Sequence, residues 1–404
     1  MIRKESSDGI GYSVVDLNGV SHVYASAVPR TGGTFEEQAH DALRTIEAVM
    51  HEEGTHGSIV QQAVFLQDSA KVGDCRRIMQ EFYGNQMPAT TYIWQPPCCG
   101  KALSVEALGV GSGGEDVAIR RVSDRLVVTR HGGVSWIHCG HVVPEPSAVG
   151  VYRRSMSAFR RMAELLATQG IGFEQVIRTW LYLGDIVGME GSTQRYKELN
   201  RARTDFYRDI RFAEGRTAPG FRGTVYPAST GIGTDNHDIV MSCIALSAEP
   251  DRVQLMPLEN PQQTSAFEYS ARYSPQSPKF CRAMALTSGP CSTIFVSGTA
   301  SITDSETRWV GDVERQTHQT LDNIEALISE RNFRQYGWAG WGATLEDLAL
   351  ARVYIKNQDD FAKTRAACES RFGEVPTIYA VADVCRPELL VEIEGIAFSA
   401  RCVR

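Results

Sequence analysis

The stretch LLVEIEGIAFSA (389–400) has the pattern of a buried strand, and it shows how the rest of the chain is divided. Two similar stretches occur earlier, LSVEALGV (103–110) and IVMSCIALSA (239–248). Each of the three is preceded by another apolar stretch with a polar end: QQAVFLQD (61–68), VIRTWLYLGD (176–185) and LALARVYIKN (348–357). Such internal similarity indicates that one structural layout is repeated three times.

Each copy of this layout combines strands with amphipathic helices. In the first copy, Thr34 is placed to cap a helix, with Glu37 in the capping-box position. One face of that helix is apolar and is formed by Ala39, Leu43, Ile46 and Met50. We therefore predict an α+β fold of three tandem units, with helices on one face of each sheet and an intrachain pseudo-trimer overall. The expected units are 1–128, 129–249 and 250–404.

Composition and charge exclude several classes of function. The net charge of −7 disfavours nucleic acid as a partner. No stretch approaches the ~20 apolar residues of a membrane span, and the first residues lack an apolar signal core. The ten cysteines are scattered among apolar runs, as expected for free thiols in a reducing compartment. We expect a cytoplasmic protein that acts on a small molecule.

The motif VEIEG (391–395) contains the strongest candidate for chemistry. On a strand, Glu392 and Glu394 point to the same face. The residues alone leave two interpretations open: a solvated or ion-paired sheet face, or a general acid whose pKa is raised by burial. Aligned from the strand ends, Glu392 matches Glu106 in the first copy and Val240 in the second. The three clefts between copies are therefore expected to differ.

A second candidate is the predicted helix RYKELNRARTDFY (195–207). Its residues Tyr196, Asn200 and Arg203 fall on one stripe. Such a stripe suits carboxylate binding, because arginine offers a two-pronged donor and tyrosine a hydroxyl; the alternative is a surface helix with ordinary solvated charges. Arg365 holds the place of Asn200 in the third copy and is expected to reach the same kind of cleft.

Two further motifs concern anions and metals. PASTGIG (227–233) forms either a tight turn or a cradle whose backbone N–H groups and hydroxyls hold an anion. In HCGH (138–141), His138 and His141 would point to opposite faces of a strand, which is poor geometry for one ion. We expect no metal site. The sequence also has no Rossmann or P-loop glycine pattern, and we expect no cofactor.

Taken together, these motifs resemble the chorismatase family, a branch of the YjgF/Rid superfamily with chorismate-mutase-like units. The resemblance covers roughly residues 130–404, whereas residues 1–125 look more like a complete Rid-type unit. It rests on the spacing from Tyr196 to Arg203 and on six motifs: RTWLYLGDI (178–186), PASTGIG (227–233), LENP (258–261), YSP (273–275) with Arg282 soon after, VGDVERQ (310–316), and ADVCRPELLVEIEG (382–395) with its closing VEIEG.

The resemblance implies a reaction and a set of site residues. Members of the family cleave the enolpyruvyl ether of chorismate, after a proton is delivered to the methylene carbon of that ether. By resemblance, Glu392 is the acid and Cys385, in the same region, helps to distinguish subtypes. The residues expected to contact the substrate are Tyr196, Arg203, Ser229, Thr230, Gly231 and Arg365.

The implied products are pyruvate and either 3-hydroxybenzoate or a dihydroxycyclohexadiene carboxylate. Cys385 favours 3-hydroxybenzoate. Two alternative functions remain: a Rid-like enamine or imine deaminase, and a non-catalytic protein that binds small carboxylates. The first is disfavoured because Thr377 and Ile378 lie where those deaminases carry an arginine. Since three units in one chain can complete the ring internally, we expect a monomer.

Overall fold

The computed structural model describes residues 2–55, 58–112, 116–218, 221–249, 251–270 and 276–400. The YSP motif (273–275) and part of the glycine-rich break near residue 114 lie outside these ranges. Within them, no helix combines the length and the apolar character that a membrane crossing requires.

The first sheet has six strands: β1 (Ile2–Ser7), β2 (Ile10–Leu17), β3 (Val20–Ala27), β4 (Ile59–Leu66), β5 (Ala89–Ile93) and β6 (Leu103–Ser112). Their order is β1-β2-β3-β6-β4-β5, and only the β4–β5 pair is parallel. Helices α1 (Phe35–Glu52) and α2 (Val72–Tyr83) pack on one face. The predicted capping box of Thr34 and Glu37 begins α1, and the predicted apolar face of this helix is buried.

The second sheet contains β7 (Ala118–Ser123), β8 (Leu126–His131), β9 (Val134–Val142), β10 (Val176–Gly184), β13 (Ala228–Thr234) and β14 (Ile239–Ala248). A short hairpin, β11 (Met189–Glu190) and β12 (Thr193–Gln194), precedes the second of its two helices, α3 (Val151–Ala167) and α4 (Arg195–Tyr207). The strand order is β13-β10-β14-β9-β8-β7, with β10 and β13 parallel.

The third sheet contains β15 (Gln254–Leu258), β16 (Ala283–Ser288), β17 (Cys291–Ala300), β20 (Leu348–Ile355), β21 (Thr377–Val381) and β22 (Val391–Ala400). Its order is β15-β16-β17-β22-β20-β21, again with the last pair parallel. The hairpin of β18 (Ile302–Thr303) and β19 (Glu306–Thr307) is followed by the helices α5 (Val313–Ile328), α6 (Glu330–Gln335) and α7 (Phe361–Phe372). The mixed α and β composition predicted from the sequence is confirmed.

Helices cover one face of each sheet, and the opposite faces meet in a central core. Phe65 of β4, Tyr182 of β10 and Tyr354 of β20 are all fully buried there and belong to one apolar cluster. Separate clusters fill the space between each sheet and its own helices. Polar side chains that point inward from the sheets therefore lie between neighbouring sheets, away from bulk water.

The strand register corrects one alignment made from the sequence. β4, β10 and β20 each contain a bulge, and counting from the bulges places Glu106 of β6 in the position of Glu394 on β22. The position of Glu392 is taken by Ser104 in β6 and by Val240 in β14. The alignment of Glu106 with Glu392 was therefore wrong by two residues, because β22 starts two residues later than the sequence pattern indicated.

Candidate active site

A cavity of about 250 Å³ lies between the second and third sheets. Its walls come from α4, β13, β17, β22 and the loop before β22. Six of the eight predicted site residues line it: Tyr196, Arg203, Ser229, Gly231, Cys385 and Glu392. Residues from the helical stripe, the PASTGIG motif and the VEIEG motif are thus brought together from positions almost 200 residues apart.

Glu392 is a buried carboxyl group on the wall of this cavity. It lies on β22, an inner strand of the third sheet, and is 5% exposed. Burial raises the pKa of Glu392 to about 8, with a further contribution from the negative charge of Glu394; Arg282 and Arg178 act in the opposite direction. Glu392 is therefore mainly a protonated carboxylic acid at neutral pH, as a proton donor requires.

Gly298 of β17 gives the Glu392 carboxyl group its space. A Cβ atom at this glycine would collide with Oε1 of Glu392 and lie close to the methyl group of Thr230. The sequence gives no sign of this requirement, since Gly298 lies in an ordinary strand pattern.

Arg203 supplies a buried positive charge on the opposite wall. It projects from α4 and is 1% exposed. Its guanidinium donates hydrogen bonds to Oδ1 of Asn200 (2.5 Å) and to Oγ of Ser229 (3.4 Å), both neutral oxygens. Among the described residues no carboxylate forms an ion pair with it, so its charge is available to an anionic ligand.

Arg282 is a second buried arginine in the cavity. In the sequence, this residue was part of the family resemblance but was not among the predicted site residues. Its Nη2 donates hydrogen bonds to the hydroxyl of Tyr269 (2.5 Å) and to the carbonyl of Thr264 (3.1 Å). The guanidinium lies 5.3 Å from the ring centre of Phe280. The sequence feature that could have indicated this role is a charged residue directly before the apolar run AMAL (283–286), because arginine is rarely buried unless its charge is paired or used.

Tyr196 and Cys385 are neutral groups near the acid. Burial raises the pKa of the Tyr196 phenol well above its usual value, and the Cys385 thiol contributes to this shift. Burial also raises the pKa of Cys385 to about 12, with Glu392 as the next cause. Cys385 is therefore a thiol rather than a reactive thiolate. The ring of Tyr196 packs against Gly231, where a side chain would crowd it.

The PASTGIG motif is strand β13 rather than a turn, and this changes the role of Thr230. Because alternate residues of a strand point to opposite sides, Ser229 and Gly231 face the cavity while Thr230 faces away. The Thr230 hydroxyl donates to Glu394 and accepts from the backbone N–H of Gly298 (2.9 Å). The expectation that Thr230 contacts the substrate is corrected: its hydroxyl holds buried protein groups.

Arg365 is also absent from this cavity. It lies on α7, is exposed, and pairs with Glu369 at 2.7 Å. It lines a different cleft, between the third and first sheets, together with Ser104 and Tyr379. Ser104 holds there the position that Glu392 has on β22. The expectation that Arg365 binds the same substrate as Glu392 is therefore wrong, because α7 faces the neighbouring cleft.

Beneath the cavity, Glu394 is the centre of a buried charge network. Its carboxylate accepts hydrogen bonds from Trp180 Nε1 (2.9 Å), Tyr354 OH (2.9 Å) and Arg352 Nη1 (3.1 Å), and also from Arg178 and Thr230. Burial alone would raise the pKa of Glu394, but Arg178 and Arg352 together hold it below the usual value. Glu394 is thus a charged structural group, unlike its neighbour Glu392.

Comparison with known proteins is consistent with this geometry. Residues 116–245 match the family model described as Chorismatase FkbO/Hyg5-like, N-terminal, and residues 280–399 match Endoribonuclease L-PSP. A 3-hydroxybenzoate synthase from Streptomyces hygroscopicus is 34% identical over 278 residues, which make up 66% of this chain and 74% of that protein. The chain belongs to the chorismatase family.

Further comparisons agree with membership of the chorismatase family. A chorismatase from Streptomyces rapamycinicus is 32% identical over 278 residues, covering 66% of this chain and 77% of that protein. A solved chorismatase structure matches with a TM-score of 0.65 at 20% identity, over 84% of this chain and 93% of the other. The latter shows that the chorismatase fold is shared, and the resemblance recognised in the sequence is confirmed.

Proposed function

We propose that the chain cleaves the enolpyruvyl ether of chorismate and releases pyruvate, with Glu392 as the acid. The observation that carries this proposal is a buried carboxyl group with a raised pKa, facing a cavity that two buried arginines, Arg203 and Arg282, also line. Chorismate has two carboxylates and an enol ether that is cleaved after protonation on carbon. Relatives named chorismatase and 3-hydroxybenzoate synthase support this assignment.

The buried arginines are suited to holding the two carboxylates of the substrate. Arg203 and Arg282 project from different units of the fold, and both line the cavity. A carboxylate that enters can take charged hydrogen bonds from a guanidinium without displacing a competing protein carboxylate from Arg203. Tyr196 also lines the cavity and adds a neutral hydroxyl, and Gly231 leaves room for the Tyr196 ring to lie against β13.

In the proposed reaction, Glu392 gives its proton to the methylene carbon of the enol ether. The double-bond electrons form the new C–H bond, and positive charge develops on the ether carbon and oxygen. Water adds to that carbon and returns a proton to the Glu392 carboxylate. In the resulting hemiketal, the bond between the former enol-ether carbon and the ring oxygen breaks, the hemiketal hydroxyl proton passes to that oxygen, and pyruvate and a ring alcohol are formed.

We assign 3-hydroxybenzoate as the ring product. After ether cleavage, loss of water from the ring aromatises it, so that pyruvate and 3-hydroxybenzoate together contain the atoms of chorismate. If no water is eliminated from the ring, the product is instead the dihydroxycyclohexadiene carboxylate. The neutral thiol of Cys385 lies beside Glu392, and we assign it a role in this choice. A relative named 3-hydroxybenzoate synthase supports the assignment.

We further propose that the chain is a monomeric pseudo-trimer of three units. The boundary expected after residue 128 moves to a point before β7 (Ala118–Ser123), because β7 and β8 (Leu126–His131) pair within the second sheet, and the boundary between 249 and 250 is kept. The identical strand order of the three sheets supports this arrangement, as does the central core to which all three contribute. Light scattering coupled to size-exclusion chromatography is expected to give the mass of a single 44.6 kDa chain. A mass of two or more chains would contradict it.

The test of function is incubation of the purified protein with chorismate. We expect stoichiometric pyruvate in a lactate dehydrogenase-coupled assay, and 3-hydroxybenzoate on chromatography of the ring product. Cys385→Ala is expected to change the ratio of ring products more than the yield of pyruvate. Pyruvate no faster than the spontaneous background would refute the proposed cleavage, and imines would then be the next substrates.

A further inference from the structure

Glu106 connects the first sheet to the charge network beneath the active-site cavity. It lies on β6 and is 9% exposed. Its two carboxylate oxygens accept hydrogen bonds from Nε (2.6 Å) and Nη2 (2.7 Å) of Arg352, which lies on β20 of the third sheet. This two-pronged pair fixes the plane of the guanidinium.

The remaining donor of Arg352 points toward the acid's own strand. Nη1 donates to Oε1 of Glu394 at 3.1 Å and to the hydroxyl of Tyr182 at 2.9 Å. Glu394 is two residues from Glu392 on β22, so both side chains point to the same side of the sheet. Glu106 is therefore connected, through Arg352 alone, to Glu394, the carboxylate two residues from Glu392.

The network is also balanced in charge. Arg178 and Arg352 carry two positive charges, and Glu106 and Glu394 carry two negative charges. All four residues are buried, with at most 9% of their surface exposed, so water screens their charges weakly. Removal of the Glu106 charge would leave one net positive charge on a network that includes Glu394, whose negative charge helps to keep Glu392 protonated. A net positive network favours the ionised form of Glu392.

We propose that Glu106 is a positioning residue for the acid: by neutralising Arg352 it keeps Glu392 protonated and ready to donate. The N-terminal unit thereby takes part in the reaction although it does not line the cavity. This inference rests on the proposed role of Glu392 in chorismate cleavage. It also gives a specific purpose to a unit whose sequence lies mostly outside the chorismatase family model.

Other charged or titratable groups face these residues and remain unchanged in the test. Those facing Glu392 or lining its cavity are Arg178, Tyr196, Lys197, Arg203, Tyr269, Arg282, Cys385, Arg386, Glu388 and Glu394. Those facing Glu106 or lining the same cavity are His22, Tyr24, His131, His138, Tyr182 and Arg352. A single change at Glu106 therefore alters one charge in a constant background.

The test compares Glu106→Gln with the parent across pH. In Glu106→Gln, the pH above which kcat falls is expected to move down by about one unit, with most of the rate recovered at lower pH and KM little changed. Glu106→Asp, which keeps the charge on a shorter side chain, is expected to move the profile down by less than Glu106→Gln does. Glu81→Gln removes the same charge from the exposed surface of the same unit and is expected to change nothing.

A substrate-free titration separates this proposal from the proposed function. Isotope-edited infrared spectra, with Glu392→Gln subtracted, report ionisation of the Glu392 carboxyl directly. A downward shift in Glu106→Gln supports the positioning role even if chorismate is not cleaved. An unchanged Glu392 titration in a folded Glu106→Gln protein overturns it. Should that variant not fold, a smaller downward shift is expected in Glu106→Asp, whose shorter side chain loosens the pair, and its absence is equally decisive.

Discussion

Glu392 and Glu394 lie two residues apart on β22, and the protein shifts their pKa values in opposite directions. Burial raises the pKa of Glu392 to about 8. Glu394 is equally buried, yet Arg178 and Arg352 hold its pKa below the usual value. One strand thus presents a carboxylic acid and a carboxylate side by side, which is how one site can hold a proton donor next to a fixed negative charge.

Replacement of the acid tests the centre of this arrangement. Glu392→Gln keeps the size of the side chain but cannot donate the proton, so we expect kcat to fall by about 10²–10⁴-fold or more. Ligand binding should persist, because Arg203 and Arg282 are unchanged. Calorimetry with chorismate measures the binding, and the coupled pyruvate assay measures kcat. A variant that retains the parent's kcat would show that another group donates the proton.

The pH dependence of the parent enzyme follows from the raised pKa of Glu392. Only the protonated acid can donate, so activity is expected below the pKa and is lost as the pH rises through about 8. The logarithm of kcat should fall with unit slope on this alkaline limb. Stopped assays from pH 6 to 10 measure it, with circular dichroism to confirm that the fold is intact. A fall in kcat that already begins near pH 5 would show that Glu392 is ionised at neutral pH, contrary to this prediction.

The two arginines are expected to act on substrate affinity. Arg203→Gln and Arg282→Gln each remove a charged hydrogen-bond donor, and we expect kcat/KM to fall by about 10- to 100-fold, equivalent to about 1.5–3 kcal/mol. Arg365→Gln is the matched control, because that residue lies in another cleft and should leave kcat/KM unchanged. A loss in Arg365→Gln comparable to the other two would contradict the placement of the substrate.

Gly298→Ala tests the space around the acid. The added methyl group collides with Oε1 of Glu392, and relief requires the carboxyl group to rotate or β17 to move. We expect kcat to fall sharply and stability to decrease by about 1–3 kcal/mol. Chemical denaturation measures the stability. Gly54→Ala is the control for adding a methyl group away from Glu392, because a Cβ atom at Gly54 would meet open space. The positive φ of Gly54 adds some backbone strain to this variant.

Glu394→Gln is expected to destabilise the fold. The change leaves Arg178 and Arg352 buried with less compensating charge, which typically costs about 3–5 kcal/mol. Because the folded-state pKa of Glu394 is lowered, its contribution to stability is present above the unfolded-state pKa and is lost as the pH falls. Urea unfolding at pH 7 and pH 4 should therefore show a smaller difference between parent and variant at the lower pH.

The sequence predicted correctly those site features that depend on the spacing of residues within one helix or strand. Tyr196 and Arg203 share one face of α4 because they are seven residues apart, and Glu392 is on an inner strand because its apolar neighbours require burial. Together with the family resemblance, these patterns identified six of the residues that line the cavity.

What the sequence could not provide depends on distant packing. Arg282 enters the cavity because β16 lies beside β17, and no local pattern places a residue across from α4. Thr230 turns away because its segment is a strand rather than a turn, a difference decided by pairing with β10. Whether Glu106 corresponds to Glu392 or to Glu394 depends on a register difference of two residues, which only the strand pairing fixes.

On the strands equivalent to β22, Ser104 of β6 and Val240 of β14 hold the position of Glu392. In an assembly of three identical chains, any substitution is copied into all three interfaces at once. Covalent linkage of the units removes that constraint, so one interface can acquire an acid while the others change independently. The stoichiometry follows directly: one equivalent of a tight-binding inhibitor should silence each polypeptide, a third of the number that a symmetric trimer of the same mass would bind.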